Sequence, residues 1–250
     1  MTRSSQPSLE EVGEYFSSSI VVDHYAKATA NIGLWISEEK IFTKIFKKDD
    51  RILELGAGTG RIAFELSDLG YEHILATDLS KPMVREGRRI GKLLESNVSF
   101  QAADACSLNY DDDLFDGAIF GFNGLMQIPF RTQRRKAMAE ILRVVRSGSY
   151  FVFTSHFREN NKFKKFWAAE QQRWNKGKQS SNLFEYGDRY EDTDLGKLFI
   201  HVPSIAEIKE DLDSVGWILD FEKPRSSIAN EPLDVREFSD ECRFWVARKP

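Results

Sequence analysis

The stretch Ile52-Leu-Glu-Leu-Gly-Ala-Gly-Thr-Gly60 constrains this chain more than any other part of it. Its apolar run reads as a buried strand and the residues from Arg61 onward read as a helix, so Gly56, Gly58 and Gly60 fall in a strand-to-helix turn. Glycine lets the backbone turn sharply and a ligand come close, and the helix start offers free N–H groups to an anion. Alone, such a triplet also suits a tight turn with no ligand. The next two strands decide between these readings. HILATD ends in Asp78 and VSFQAAD ends in Asp104. A carboxylate at the second strand end can accept both hydroxyls of a ribose, and one at the third can accept from an adenine amino group. Three consecutive strands thus finish in groups that an adenosine needs, at the carboxyl edge where open α/β sheets bind ligands.

The rest of the chain fits around that edge. Residues 1–49 read as an N-terminal helical cap. From Arg51, RILEL, HILATD, VSFQAAD, FDGAIFG and SYFVFTS alternate with helical stretches, which predicts a parallel sheet covered on both faces over residues 50–155. Residues 156–203 break the regularity as an inserted substrate cover, basic and aromatic at first and then a hairpin or irregular excursion. Residues 204–250 supply a serine-capped helix and two closing strands, WILDF and CRFWVARK. A composition of 41% hydrophobic and 30% charged residues excludes a disordered chain, and a net charge of −4 gives no reason to expect indiscriminate binding to a polyanion. Cys106 and Cys242 stand in no metal-ligand or redox spacing. With no apolar signal segment at the start and no run long enough to span a bilayer, the expected place is the cytoplasm.

At these residues the sequence resembles the class I S-adenosylmethionine-dependent methyltransferases. The likeness lies in GAGTG, in ATDLSKPM around Asp78, in Asp104-Ala105, in FDGAIFGFNGLMQIP, and in AEILRVVRSGSYFVFT. It implies a Rossmann-like, doubly wound, mostly parallel seven-stranded sheet with an antiparallel last strand and helices on both faces. It also implies S-adenosylmethionine as cofactor and S-adenosylhomocysteine as product. Carried onto this chain, the glycine loop (Gly56, Ala57, Gly58, Gly60) would pack against the methionine part, with Glu54 near its amino group. Asp78 would hold the ribose, Leu79 and Met83 would flank the adenine, and Asp104 with Ala105 would read its edge. Phe122 and Asn123 would sit beside the reactive methyl, and Tyr25 or Trp35 of the cap would touch the methionine end. A nicotinamide-dependent oxidoreductase is the rival; GxGxG spacing, the third-strand acid and the lack of a Tyr-x-x-x-Lys motif count against it.

The expected acceptor is a nitrogen or oxygen of a small molecule or short peptide, without a metal. GFNG is unlike the loop that grips a nucleobase amine, so DNA is disfavoured. His156, directly after the fifth strand, is the candidate base, with Asn123 positioning the acceptor; His201 is undecided. KFKKFWAAEQQRWNKGK reads as a lid helix with solvated lysines, or as a pocket wall suited to an acidic molecule. An RNA acceptor would require its charge to join Arg131, Arg134, Arg135 and Lys136 in one surface. A cofactor-binding scaffold without activity would require a sealed surface beside Asn123.

Overall fold

Side chains alternate strictly along the central strands, and that alternation sets the layers. The computed structural model describes residues 7–250. Helices α1 (Leu9–Ser17), α2 (Ser19–Asn31) and α3 (Ile36–Ile45) precede β1 (Arg51–Leu55). Then follow α4 (Arg61–Asp68), β2 (His73–Asp78), α5 (Lys81–Leu93), β3 (Ser99–Ala102), β4 (Phe115–Phe120), α6 (Arg131–Val144) and β5 (Val145–Ser155). The excursion holds α7 (Lys164–Asn175) and a hairpin of β6 (Asp188–Thr193) and β7 (Gly196–His201). The chain closes with α8 (Ile205–Val215), β8 (Ile218–Pro224), α9 (Arg225–Ile228), α10 (Leu233–Phe238) and β9 (Arg243–Arg248).

The main sheet has seven strands in the order β3-β2-β1-β4-β5-β9-β8. Strands β1 to β5 pair in parallel, and β9 slots antiparallel between β5 and β8. Leu53, Leu55, Phe151, Phe153, Trp245 and Ala247 face one core with Met138, Ile141, Ile208 and Leu212 of α6 and α8. Their neighbours Ile52, Val152, Phe244 and Val246 face the other, with Phe42 of α3, Ile62 and Phe64 of α4 and Val235 of α10. Sandwiching an alternating sheet in this way removes both apolar faces from water.

Two stretches depart from the sequence expectation. The α6 helix stops at Val144 and β5 starts at once, with Gly148 at φ +83 where the strand meets the chain end through an N–H bond to Lys249. The polar stretch between the closing strands folds into α9 and α10, which are too short to show a helical apolar period.

The N-terminal cap divides in two. Helix α3 packs on the sheet, while α1 and α2 form a roof in which Val21 and Val22 meet Met83 of α5. The β6–β7 hairpin braces this roof. Leu195 at its tip joins the same apolar cluster, and the Tyr190 hydroxyl donates to Glu11 at 2.9 Å.

Candidate active site

Beneath the roof, along the carboxyl ends of β1 to β4, lies a cleft whose empty space, mouth included, is about 1090 Å³. The structure brings Tyr25, Glu54, Gly56, Ala57, Gly58, Asp78, Leu79, Met83, Asp104, Ala105 and Phe122 together on its walls.

The glycines have distinct reasons. Gly56 and Gly58 take left-handed φ values of +59 and +57. A Cβ on Gly58 would meet nothing within 4 Å, so the space above it is open and belongs to the cleft that Gly58 lines. Gly60 does not line the cleft, which corrects its placement in the cofactor set. A Cβ there would stand 2.6 Å from Phe100 and 2.8 Å from Phe64, so its glycine serves the packing of the α4 start.

The three acids differ in what they hold. Asp78 accepts the Gly58 and Ser80 N–H groups, each at 2.8 Å, which fixes the carboxylate and leaves lone pairs for further donors. Burial pushes its carboxyl up to about 6 against the pull of those two N–H groups. Asp104 accepts the Cys106 N–H through one oxygen. Glu54 is buried, its Oε2 has no hydrogen-bond partner, and burial pushes its carboxyl up to about 8 despite the nearby Arg61. A buried carboxyl with one oxygen left without a partner, beside open glycine backbone, suits an ammonium group. Glu54, Gly58, Asp78 and Asp104 therefore fit an amino acid joined to an adenosine.

Glu54 also gives a pH prediction. Its proton leaves when a cation arrives, so S-adenosylhomocysteine should bind more tightly as pH rises toward 8 and should release a proton at pH 7. Calorimetry in two buffers of different ionisation enthalpy measures that proton, and Glu54→Gln should abolish the release. In the ligand-free protein the raised carboxyl works the other way on stability, which should fall as pH climbs from the ordinary carboxylate range to about 8.

Arg61 sits close by but is taken. Its guanidinium donates to both oxygens of the buried Glu38 at 2.7 Å and to the half-buried Gly33 carbonyl at 2.7 Å. Trp35 stacks against it with the ring centre 5.0 Å away and is fully buried. Trp35 thus lies behind Phe122 and does not touch the cleft, contrary to the expectation that it meets the methionine end.

Asn123 and His156 also stand outside the lining. Asn123 is buried at φ +60 and holds its Nδ2 3.3 Å from His156 Nε2. His156 Nδ1 is 3.1 Å from the Glu241 carbonyl, so that nitrogen is the donor and Nε2 accepts from Asn123. The lone pair a base would use is occupied, and the ring faces a smaller pocket with Phe157, Phe163 and Trp167. Burial lowers its proton affinity. The pair corrects the base assignment geometrically: it braces the end of β4.

Sequence reasoning missed part of the wall. Leu9, Val12, Gly13 and Phe16 of α1, Thr29 of α2, Gln127 and Ile128 after β4, and Phe238 of α10 all face the cleft. The cleft continues past Phe122 to Gly124 and Gln127, so the surface beside Asn123 is open. None of residues 156–203 lines it, so the expected substrate cover does not form the cleft wall; Trp167 is buried in the core away from the cleft. Arg131 and Arg135 are bound to Asp211 at 2.6 and 2.7 Å, and the buried Arg134 to Glu185 at 2.7 Å, so these arginines do not form a free basic surface. His201 is buried between Asp188 and Glu207, each 2.7 Å away. Glu185, Asp188 and His201 bring ligand-type atoms within 4.8 Å of one another, yet Glu185 holds Arg134 and the Arg131 N–H while Asp188 accepts the Phe184 and Glu185 N–H groups. The cluster is an ionic knot tying the hairpin to α6 and α8.

This sheet order and glycine-loop cleft define a Rossmann-like protein of the class I methyltransferase kind. Residues 52–148 match the family described as methyltransferase domain. The chain is 39% identical over 104 residues to a demethylmenaquinone methyltransferase of Clavibacter sepedonicus, covering 41% of this chain and 40% of the relative. It is 32% identical over 124 residues to a ubiquinone/menaquinone biosynthesis C-methyltransferase of Coxiella burnetii, covering 47% of each. It therefore spans less than half the length of these relatives. In fold, it is similar to an S-adenosylmethionine-dependent methyltransferase of Methanosarcina mazei, with TM-score 0.68, 19% identity, and 87% of this chain and 98% of that one covered. The [4+2]-cyclase SpnF gives TM-score 0.69 at 18% identity, covering 98% and 97%. Among the described residues no helix is long and apolar enough to cross a membrane.

Proposed function

We propose that the protein transfers a methyl group from S-adenosylmethionine to a small molecule seated under the α1–α2 roof. The observation that carries this reading is the unpartnered Oε2 of the buried Glu54 beside the open Gly58 backbone, in the same cleft as Asp78 and Asp104. The cofactor, when bound, supplies a methyl group made electrophilic by a positive sulfur. Glu54 would hold its amino group, Asp78 the ribose and Asp104 the adenine edge. The roof covers the glycine loop, and the Thr29 hydroxyl, 2.7 Å from that of Thr59, ties the two together. Positioning then carries much of the catalysis, since among the described residues the lining holds no imidazole. The expected nitrogen or oxygen acceptor is widened to carbon, because a relative is named for C-methylation.

The paired arginines count against RNA, and the open cleft beside Asn123 counts against an inactive scaffold. The test is incubation with methyl-labelled cofactor and a metabolite extract: a labelled small product supports the reading, and label only in RNA or in nothing opposes it. With an acceptor in hand, His156→Asn should leave the single-turnover rate and its pH profile nearly unchanged. A general base would lose about 10²–10⁴-fold in rate.

A further inference from the structure

We propose that Gln127 orients the methyl acceptor through its side-chain amide and that this acceptor is a neutral, flat aromatic molecule. The inference rests on the methyltransferase reading and follows from which polar groups of the cleft are already engaged. Thr29 and Thr59 bond each other, Thr77 donates to the Glu54 carbonyl at 2.8 Å, and Ser80 donates to the Phe16 carbonyl at 2.9 Å. Arg61 is bound to Glu38. Glu54, Asp78 and Asp104 face the cofactor. Among the described residues of the lining, the side chains left with no hydrogen-bond partner are the Gln127 amide and the Tyr25 hydroxyl.

Gln127 ends the 3-10 turn Gly124–Gln127, which the buried Leu125, Met126 and Ile128 anchor, so its amide starts from a fixed backbone. A group held this way and left without a partner in the protein is suited to a ligand's polar atom. The same cleft is lined by Phe16, Phe122, Phe238 and Ile128, with Phe122 and Phe238 stacked on each other at 5.0 Å. Such walls suit a flat ring.

Charge narrows the class further. Arg61 is the single cation among the described lining residues and it is already paired, so an anionic acceptor would enter an apolar space without a counter-ion. The carboxylates are committed to the cofactor, so a cationic acceptor meets the same cost. An oxygen-bearing neutral ring meets the amide without it.

The experiment is calorimetry with 2-naphthol as probe, with its charged counterparts 2-naphthoate and 2-naphthylmethylammonium, on protein saturated with S-adenosylhomocysteine. The wild type should bind 2-naphthol, and bind either charged counterpart at least about tenfold more weakly. Gln127→Leu, close in size and removing no bond within the protein, should weaken 2-naphthol about tenfold while leaving S-adenosylhomocysteine affinity unchanged. The proposal is overturned if 2-naphthol does not bind the saturated wild type, if a charged counterpart binds as well, or if Gln127→Leu binds 2-naphthol equally. Failure of S-adenosylhomocysteine itself to bind the wild type overturns the methyltransferase reading, and the proposal falls with it.

Discussion

Gly58→Val is expected to leave a folded protein that no longer binds S-adenosylmethionine. The Cβ direction at Gly58 is empty to 4 Å, so the valine methyl groups enter the ligand's space and not the core. The backbone there is left-handed at φ +57, which a β-branched residue adopts only with strain, so a modest loss of thermal stability should accompany the loss of binding. A titration should show no saturation up to about 1 mM, which places any residual binding weaker than about −4 kcal/mol. Gly58→Ala, with a smaller intrusion, should bind weakly and remain closer to wild type in stability. Wild-type affinity in a folded Gly58→Val variant would mean that the loop does not face the ligand.

Glu38→Ala should produce the largest change in stability. Glu38 is fully buried, accepts two hydrogen bonds from Arg61 and also accepts the Trp35 N–H at 2.9 Å at the start of α3. Removing it leaves the guanidinium buried with the Gly33 carbonyl as its remaining partner. Breaking a buried pair on one side costs about 3–5 kcal/mol, and for a chain of this size the melting temperature should fall on the order of 10 °C. The exposed pair Arg89–Glu86 provides the contrast. Truncating Glu86 should leave the melting temperature almost unchanged, because solvent screens that pair. Equal effects at the two sites would refute the weight placed on burial.

The cofactor side of the cleft was readable in sequence because its chemistry sits at strand ends. Gly58, Asp78 and Asp104 each follow a short apolar run, and the parallel order places those ends on one edge. The acceptor side was not readable, because its walls come from elements joined only by tertiary packing. Phe238 lies on a helix of six residues with no periodic signal, and Phe16 reaches the cleft because α1 folds back over α5. His156 misled for a related reason: strand position predicts the sheet edge, but the ring direction depends on Asn123 and the Glu241 carbonyl. Gly60 and Trp35 belonged to the right motifs, yet their neighbours Phe64, Phe100 and Arg61 show that packing accounts for them.

The most direct test of the central claim is calorimetric titration of the wild-type protein with S-adenosylmethionine at pH 7, with a nicotinamide dinucleotide titrated in parallel. Saturable binding of one S-adenosylmethionine per chain, with proton release traced to Glu54 and no binding of the dinucleotide, is the predicted result. No saturation with S-adenosylmethionine up to about 1 mM, or comparable binding of the dinucleotide, would contradict it.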